Sequence, residues 1–213
     1  MRVEALLFDL DGTLIDSRRD LAFSVQRIQR ELGERVSSDD EIATYIGDGV
    51  VKLVQRALPR RRGAELRDAV RRFKRFYAQH ALDTTRPYPG VRETIERLRR
   101  KKLAVVTNKP GRISRSILER LGLLEHFRLV VGGDSLAEKK PDPAPLRYAM
   151  DVMRVHPRRT VMVGDSAGDI LAGRAAGTWT CGMPSNIGDR RKLISSRPDF
   201  VARGSFELLS LFR

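Results

Sequence analysis

Four short clusters in this 213-residue chain carry side chains that can act together on an anion. Asp9 and Asp11 precede Gly12. Thr107, Asn108 and Lys109 are consecutive. Gly132, Gly133 and Asp134 are followed by Lys139, Lys140 and Pro141, and Gly164, Asp165 and Ser166 lead to Asp169. Each cluster stands just after a brief apolar run. If those runs are strands of one parallel sheet, their carboxyl ends share an edge, which is where open α/β sheets bind ligands. Carboxylates gathered there repel one another and do not all stay ionised unless a cation joins them. Oxygen-only donors favour a hard ion, magnesium over zinc. A lysine and a hydroxyl beside such an ion suit a phosphoryl group, whose charge needs neutralising and whose oxygens need donors. Gly12 lets the backbone approach a ligand closely. His80, His126 and His156 are scattered and Cys181 is alone, so no nitrogen or sulfur cluster offers a competing metal site.

The elements that must position these clusters follow from periodicity. Val3–Phe8 is too short an apolar run for a helix and reads as a buried strand. Leu103–Val106, Leu129–Val131, Val161–Val163 and Thr178–Cys181 read the same way, with Phe200–Val201 as a short edge strand. Helical stripes lie between them: Val91 to Leu98, Ile113 to Leu121 and Leu146 to Met153. Another runs from Ile170 to Ala175, where Gly177 stops it, and Phe206–Leu211 closes the chain. Asp142 and Pro143 read as the N-cap and first residue of the third of these. Alternating strands and helices specify a Rossmann-like parallel sheet covered on both faces. The stretch from about residue 17 to residue 82 breaks the alternation. It shows only helical patterns, Leu21 to Leu32, Ile42 to Ile46, Val50 to Leu58 and Leu66 to Tyr77, and no strand. Ser38 and Glu41 form a capping-box pattern ahead of Ile42. Phe73, Phe76 and Tyr77 read as packing residues. The expected organisation is an α/β core of residues 1–16 and 83–213, with a helical domain, 17–82, inserted after the first strand.

Phe8-Asp9-Leu10-Asp11-Gly12-Thr13-Leu14 resembles the first motif of the haloacid dehalogenase superfamily in its phosphatase form. Val106-Thr107-Asn108-Lys109 resembles the second motif, Lys140-Pro141 the third, and Gly164-Asp165-Ser166 with Asp169 the fourth. All four are in order. The resemblance implies that Asp9 is a nucleophile that becomes an aspartyl-phosphate, and that Asp11 is the acid and then the base. It implies a magnesium site formed by the Asp9 carboxylate, the Asp11 backbone carbonyl and Asp165, with Asp169 acting through water or orienting the site. Thr107 and the Asn108 backbone would bind phosphate oxygens, and Lys140 would neutralise charge. Lys139 is the rival for that last role, but adjacency to Pro141 favours Lys140. The presence of Asp11 points to phosphoester chemistry and away from dehalogenation.

In this superfamily a helical cap follows the first motif, and residues 17–82 occupy that position. Ile46-Gly47-Asp48-Gly49-Val50 resembles the cap loop of bacterial phosphoglycolate phosphatases, as do Ala104–Pro110 and Gly132-Gly133-Asp134-Ser135 ahead of Lys139-Lys140-Pro141. The resemblance implies a magnesium-dependent phosphatase for a small anionic monoester, 2-phosphoglycolate first. Pyrophosphatases, sugar-phosphate phosphatases and phosphomutases share much of the pattern. A substrate carboxylate calls for a cation in the cap, and Lys52, beside the Gly47 loop, and Arg18, at the cap entrance, are the candidates.

The formal charge is +14, with 33 arginines and eight lysines against 27 acids. Such a chain attracts anions, including phosphorylated metabolites and nucleic acid. Nucleic acid is not the expected partner, because no binding module accompanies the dense spots at Arg60–Arg62 and Arg99–Lys102. A different class, a basic nucleic-acid- or partner-binding protein on a retained fold, conflicts with the complete set of Asp9, Asp11, Lys140 and Asp165. No apolar run reaches membrane-spanning length. The chain enters its first strand with no leader pattern and has one cysteine, so a cytoplasmic monomer or homodimer is expected.

Overall fold

A computed structural model describes residues 2–212. The chain opens with β1 (Ala5–Phe8) and β2 (Ile15–Asp16). Four helices follow: α1 (Arg18–Glu31), α2 (Asp39–Ala43), α3 (Val50–Ala57) and α4 (Gly63–His80). Then come β3 (Arg86–Pro87), α5 (Val91–Arg97), β4 (Lys102–Val106), α6 (Gly111–Arg120), β5 (Leu129–Val131) and α7 (Ala144–Met153). The last part runs through β6 (Thr160–Gly164), α8 (Ala167–Ala176), β7 (Trp179–Gly182), α9 (Arg190–Ser195), β8 (Phe200–Val201) and α10 (Glu207–Leu211).

Six strands form one parallel sheet in the order β5-β4-β1-β6-β7-β8. β1 is central because every residue in it is apolar and can be buried on both faces. Leu6 and Phe8 face a core shared with α5, α6 and α10; Ala5 and Leu7 face a core shared with α7 and α8. Phe8 lies opposite Val105 of β4 and Val163 of β6, so β1 ends within one residue of both neighbours. The strand order reverses at β1, and in open α/β sheets the crevice outside the carboxyl ends at such a point is where ligands bind. This register brings Asp9, Thr107 and Asp165 side by side.

The segment between β2 and β3 is wholly helical and carries its own apolar stripe: Leu21, Val25 and Ile28 on α1 meet Leu53 and Val54 of α3 and Val70 and Phe73 of α4. Its two connections to the sheet are tied together. β2 and β3 pair antiparallel, Ile15 opposite Pro87 and Asp16 opposite Arg86. Beside them the buried Asp20 carboxylate accepts hydrogen bonds from the backbone and hydroxyl groups of Thr84 and Thr85, at 2.6 to 3.1 Å. Burial works against the Asp20 charge, but these bonds outweigh it and hold the carboxyl below its usual range. Neither device has a periodic signal. Two residues per strand are too few to alternate, and the clasp joins positions more than sixty apart in sequence.

Two caps differ from the sequence expectation. Ser38 Oγ does accept the Glu41 N–H, but the Glu41 side chain turns to Arg35 and Tyr45, so that box is half formed. The complete reciprocal box lies at Ser166 and Asp169, heading α8. Helix α7 begins at Ala144, one residue after the proline expected to open it, with the Asp142 carboxylate accepting the Ala144 N–H. No helix among the described residues is long and apolar enough to cross a membrane.

Candidate active site

Asp9 follows β1 directly and is buried. Its Oδ1 accepts a hydrogen bond from Lys140 Nζ at 2.8 Å. The same ammonium lies 2.6 Å from Asp169 Oδ1 and donates to the Val106 carbonyl. Burial opposes the Lys140 charge, but Asp169 and Asp9 outweigh it and push the ammonium up to about 12. Lys140 therefore stays protonated and anchors two carboxylates. Lys139, the rival, is exposed on the surface.

Asp165 extends the cluster at the end of β6. Ser185 Oγ donates to its Oδ2 at 3.0 Å, and Thr13 Oγ1 stands 3.5 Å from its Oδ1. The approach to the first loop is so close that a Cβ on Gly12, whose φ is +83°, would fall 2.0 Å from Asp165 Oδ2. Glycine is required there for space as well as for conformation. Asp9, Asp165 and Asp169 bring carboxylate oxygens within 4.8 Å of one another. Burial, and then the neighbouring carboxylates Asp9 and Asp169, hold Asp165 well above the usual range. Asp9 is raised to about 6, chiefly by burial, with Lys140 pulling it down and Asp169 pushing it up. One lysine does not balance three buried carboxylates, and this oxygen-only set fits a divalent hard cation. The Asp11 carboxylate is outside the trio.

Such a raised carboxyl has a consequence for the metal-free protein. Its folded form keeps the Asp9 proton to about pH 6, whereas the unfolded chain gives it up near pH 4. Stability contributed at this position is therefore highest at low pH and falls as pH rises through that window. In chelator, the melting temperature of the wild type relative to Asp9→Asn should drop between pH 4 and pH 6. A difference that does not change with pH would contradict this.

Two donors face the same space from β4. The Thr107 hydroxyl accepts the Lys109 N–H at 3.2 Å, but its own proton has no acceptor among the described residues, nor does the Asn108 backbone N–H. Both residues are buried. The Asn108 side chain is committed elsewhere: Nδ2 donates to the Gly47 and Lys140 carbonyls, and Oδ1 accepts the Lys140 N–H, each at 3.0 Å. Asn108 thus joins the Gly47 loop of the helical segment to the lysine loop of the sheet.

The Asp11 carboxylate lines the same space. Ser17 Oγ donates to it at 2.6 Å, and Lys109 Nζ stands 3.0 Å from each of its oxygens. Lys109 in turn donates to Tyr77 OH of α4 at 2.7 Å. Burial disfavours the Lys109 charge, but Asp11 outweighs it and keeps the ammonium above the usual lysine range. A cavity of about 570 Å³ opens between the helical segment and the sheet, lined by Asp9, Asp11, Gly47, Thr107, Asn108 and Lys109 among others.

The structure does not bring every expected residue here. Arg18 pairs with Asp40 at 3.2 Å and Lys52 is exposed on α3; neither lines the cavity. Tyr77 does pack, stacked on Phe73 at 5.6 Å, but its hydroxyl also enters the site. Tyr77, Ser17 and Ser185 were not expected as site residues, and Lys109, which belongs to the second cluster, carried no expected role of its own. A buried tyrosine hydroxyl needs a partner, which was the available signal for Tyr77. Ser185 follows the end of β7, the same kind of position as the other clusters.

A parallel sheet of this order with an acidic, lysine-anchored strand edge defines the class. The chain belongs to the haloacid dehalogenase-like hydrolase family, which it matches over residues 6–183. Its relatives narrow the comparison. A phosphoglycolate phosphatase from Neisseria meningitidis is 39% identical over 209 residues, covering 93% of this chain and 89% of that one. One from Aquifex aeolicus is 39% identical over 213 residues, covering 99% and 96%. The crystal structure of a predicted phosphoglycolate phosphatase from Haemophilus somnus superposes with a TM-score of 0.94 at 32% identity, covering 99% of this chain and 98% of that one.

Proposed function

We propose that this protein is a magnesium-dependent phosphatase that hydrolyses a small anionic phosphate monoester, 2-phosphoglycolate, through an aspartyl-phosphate on Asp9. The observation that carries the reading is the pairing of Asp9 with two buried donors that lack acceptors, the Thr107 hydroxyl and the Asn108 N–H. A phosphoryl group set against Asp9 supplies oxygens to both. Lys140 orients the carboxylate and reduces its charge, so that the dianionic phosphate can approach. Asp9 Oδ attacks phosphorus as the bond to the ester oxygen breaks, and Asp11 gives its proton to that oxygen. Asp11 then takes a proton from water, whose oxygen attacks phosphorus, releases inorganic phosphate and restores Asp9.

Asp9, Asp165 and the Asp11 carbonyl would hold the magnesium, with Asp169 placed behind by Lys140 and by its bonds to Ser166. Bound there, the ion neutralises charge on the phosphoryl oxygens. Residues 17–82 serve as the cap. Closed over the cavity, they exclude water and read the leaving group, and the Gly47–Asn108 bond and the tied linkers keep them in register with the sheet.

Phosphate release from phosphoglycolate, pyrophosphate, sugar phosphates, nucleotides and a chromogenic ester tests this. Phosphoglycolate should have the highest kcat/KM, with activity lost in chelator and restored by magnesium. Release unaffected by chelator would overturn the metal assignment. Release from pyrophosphate or a sugar phosphate alone would move the substrate to the neighbouring subgroup. No release from any member would overturn the phosphatase itself.

A further inference from the structure

We infer that Lys109 and Tyr77 form the receptor for the carboxylate of the leaving group, an inference that rests on the phosphoglycolate reading above. The substrate's carboxylate oxygens are three bonds from the ester oxygen, and the ester oxygen must reach Asp11 to receive its proton. A cation that recognises the carboxylate must therefore stand close to Asp11 and open to the cavity. Three cations line that cavity: Lys74, Lys109 and Arg112. Lys74 and Arg112 are exposed at its mouth, where water screens them. Lys109 is buried, with its Nζ 3.0 Å from both Asp11 oxygens.

The donor count leaves room for one more partner. The ammonium has three N–H bonds: one is forked between the two Asp11 oxygens, which lie too close together as seen from Nζ to take one each, and a second goes to the Tyr77 hydroxyl oxygen. Tyr77 OH accepts from Lys109 and donates to no acceptor among the described residues, although the residue is buried. One N–H from the sheet side and one O–H from the helical segment are thus left at the same point, beside the acid. A carboxylate oxygen placed there takes both. An uncharged leaving group of the same size leaves both unpaired in a buried site, and that asymmetry is what makes polar recognition selective. Because Tyr77 comes from α4 and Lys109 from the sheet, the carboxylate also bridges the two parts, so the correct leaving group favours the closed arrangement.

The test compares phosphoglycolate with ethyl phosphate, which lacks the carboxylate, in the wild type, Lys109→Gln and Tyr77→Phe. Lys109 also touches Asp11, so the ratio of the two kcat/KM values is the informative quantity. It should fall by about 100-fold in Lys109→Gln and about 10-fold in Tyr77→Phe. Tyr77→Phe keeps the ring and the stack on Phe73, so it carries the test if Lys109→Gln does not fold. A wild-type preference that survives in the variants, with both substrates slowed equally, would overturn the carboxylate role and leave Lys109 as a support for Asp11 only. A wild-type ratio near one would overturn the phosphoglycolate reading together with this receptor, while leaving the Asp9 chemistry intact.

Discussion

Replacing Asp9 by Asn is expected to abolish turnover, with phosphate release reduced on the order of 10⁴- to 10⁶-fold, the scale seen when a covalent nucleophile is removed. The amide has nearly the shape of the carboxyl and remains in place beside Lys140, which still has Asp169 at 2.6 Å. The fold should therefore persist. Its metal-free form should even gain stability above pH 6, because one of three crowded carboxylates is gone. Loss of activity with retained or increased melting temperature separates a chemical role from a structural one. Substantial residual activity in a folded variant would reject Asp9 as the nucleophile.

The second large effect belongs to Lys140. Its ammonium is the cation shared by Asp9 and Asp169, and the side chain is buried. Lys140→Met keeps most of the volume but leaves those carboxylates without it. Breaking a buried ion pair by removing one partner costs about 3–5 kcal/mol, mostly as the penalty of the charge left behind. Urea unfolding in chelator at pH 7 should show a loss of that size. The loss should shrink below pH 6, where Asp9 holds its proton, and again when magnesium is added. Activity should fall by about 10²–10³-fold, the scale of losing one positioned charge or donor beside a developing anion. An unchanged unfolding midpoint would mean that the pair contributes little to holding the site together.

Much of this site was legible in the chain because strand ends are simple to find. Ala5–Phe8 and Val161–Val163 are continuous apolar runs buried on both faces, and the residues just after them have nowhere to go but the sheet edge. The helical segment was legible for a related reason: Val25, Ile28, Val70 and Phe73 recur at helical spacing, and the chain returns to the sheet only afterwards.

What was not legible depends on tertiary placement. Arg18 and Lys52 flank the right loops, but which side of a helix faces the cavity is settled by how α1 and α3 pack. That packing turns Arg18 to Asp40 and Lys52 to water. Lys109 sits inside a strand-end cluster, yet its partners come from residue 11 and residue 77, and no local pattern joins them. The Asp20 clasp is hidden for the same reason. The charge reading was partly diluted by pairing. Arg61 meets Glu34 and Glu65, Arg71 and Arg72 share Asp68, and Arg99 meets Glu96, pairs that are worth little individually at the surface.

The most direct test of the account is to catch the phosphoryl group on the protein. Wild-type protein mixed with magnesium and phosphoglycolate, quenched in acid within one turnover and digested, should yield the peptide containing Asp9 heavier by one phosphoryl group. Asp9→Asn treated in the same way should yield none. A wild-type protein that turns over while every quenched peptide keeps its unmodified mass would contradict the covalent route, and Asp9 would then be a group that orients water rather than one that attacks phosphorus.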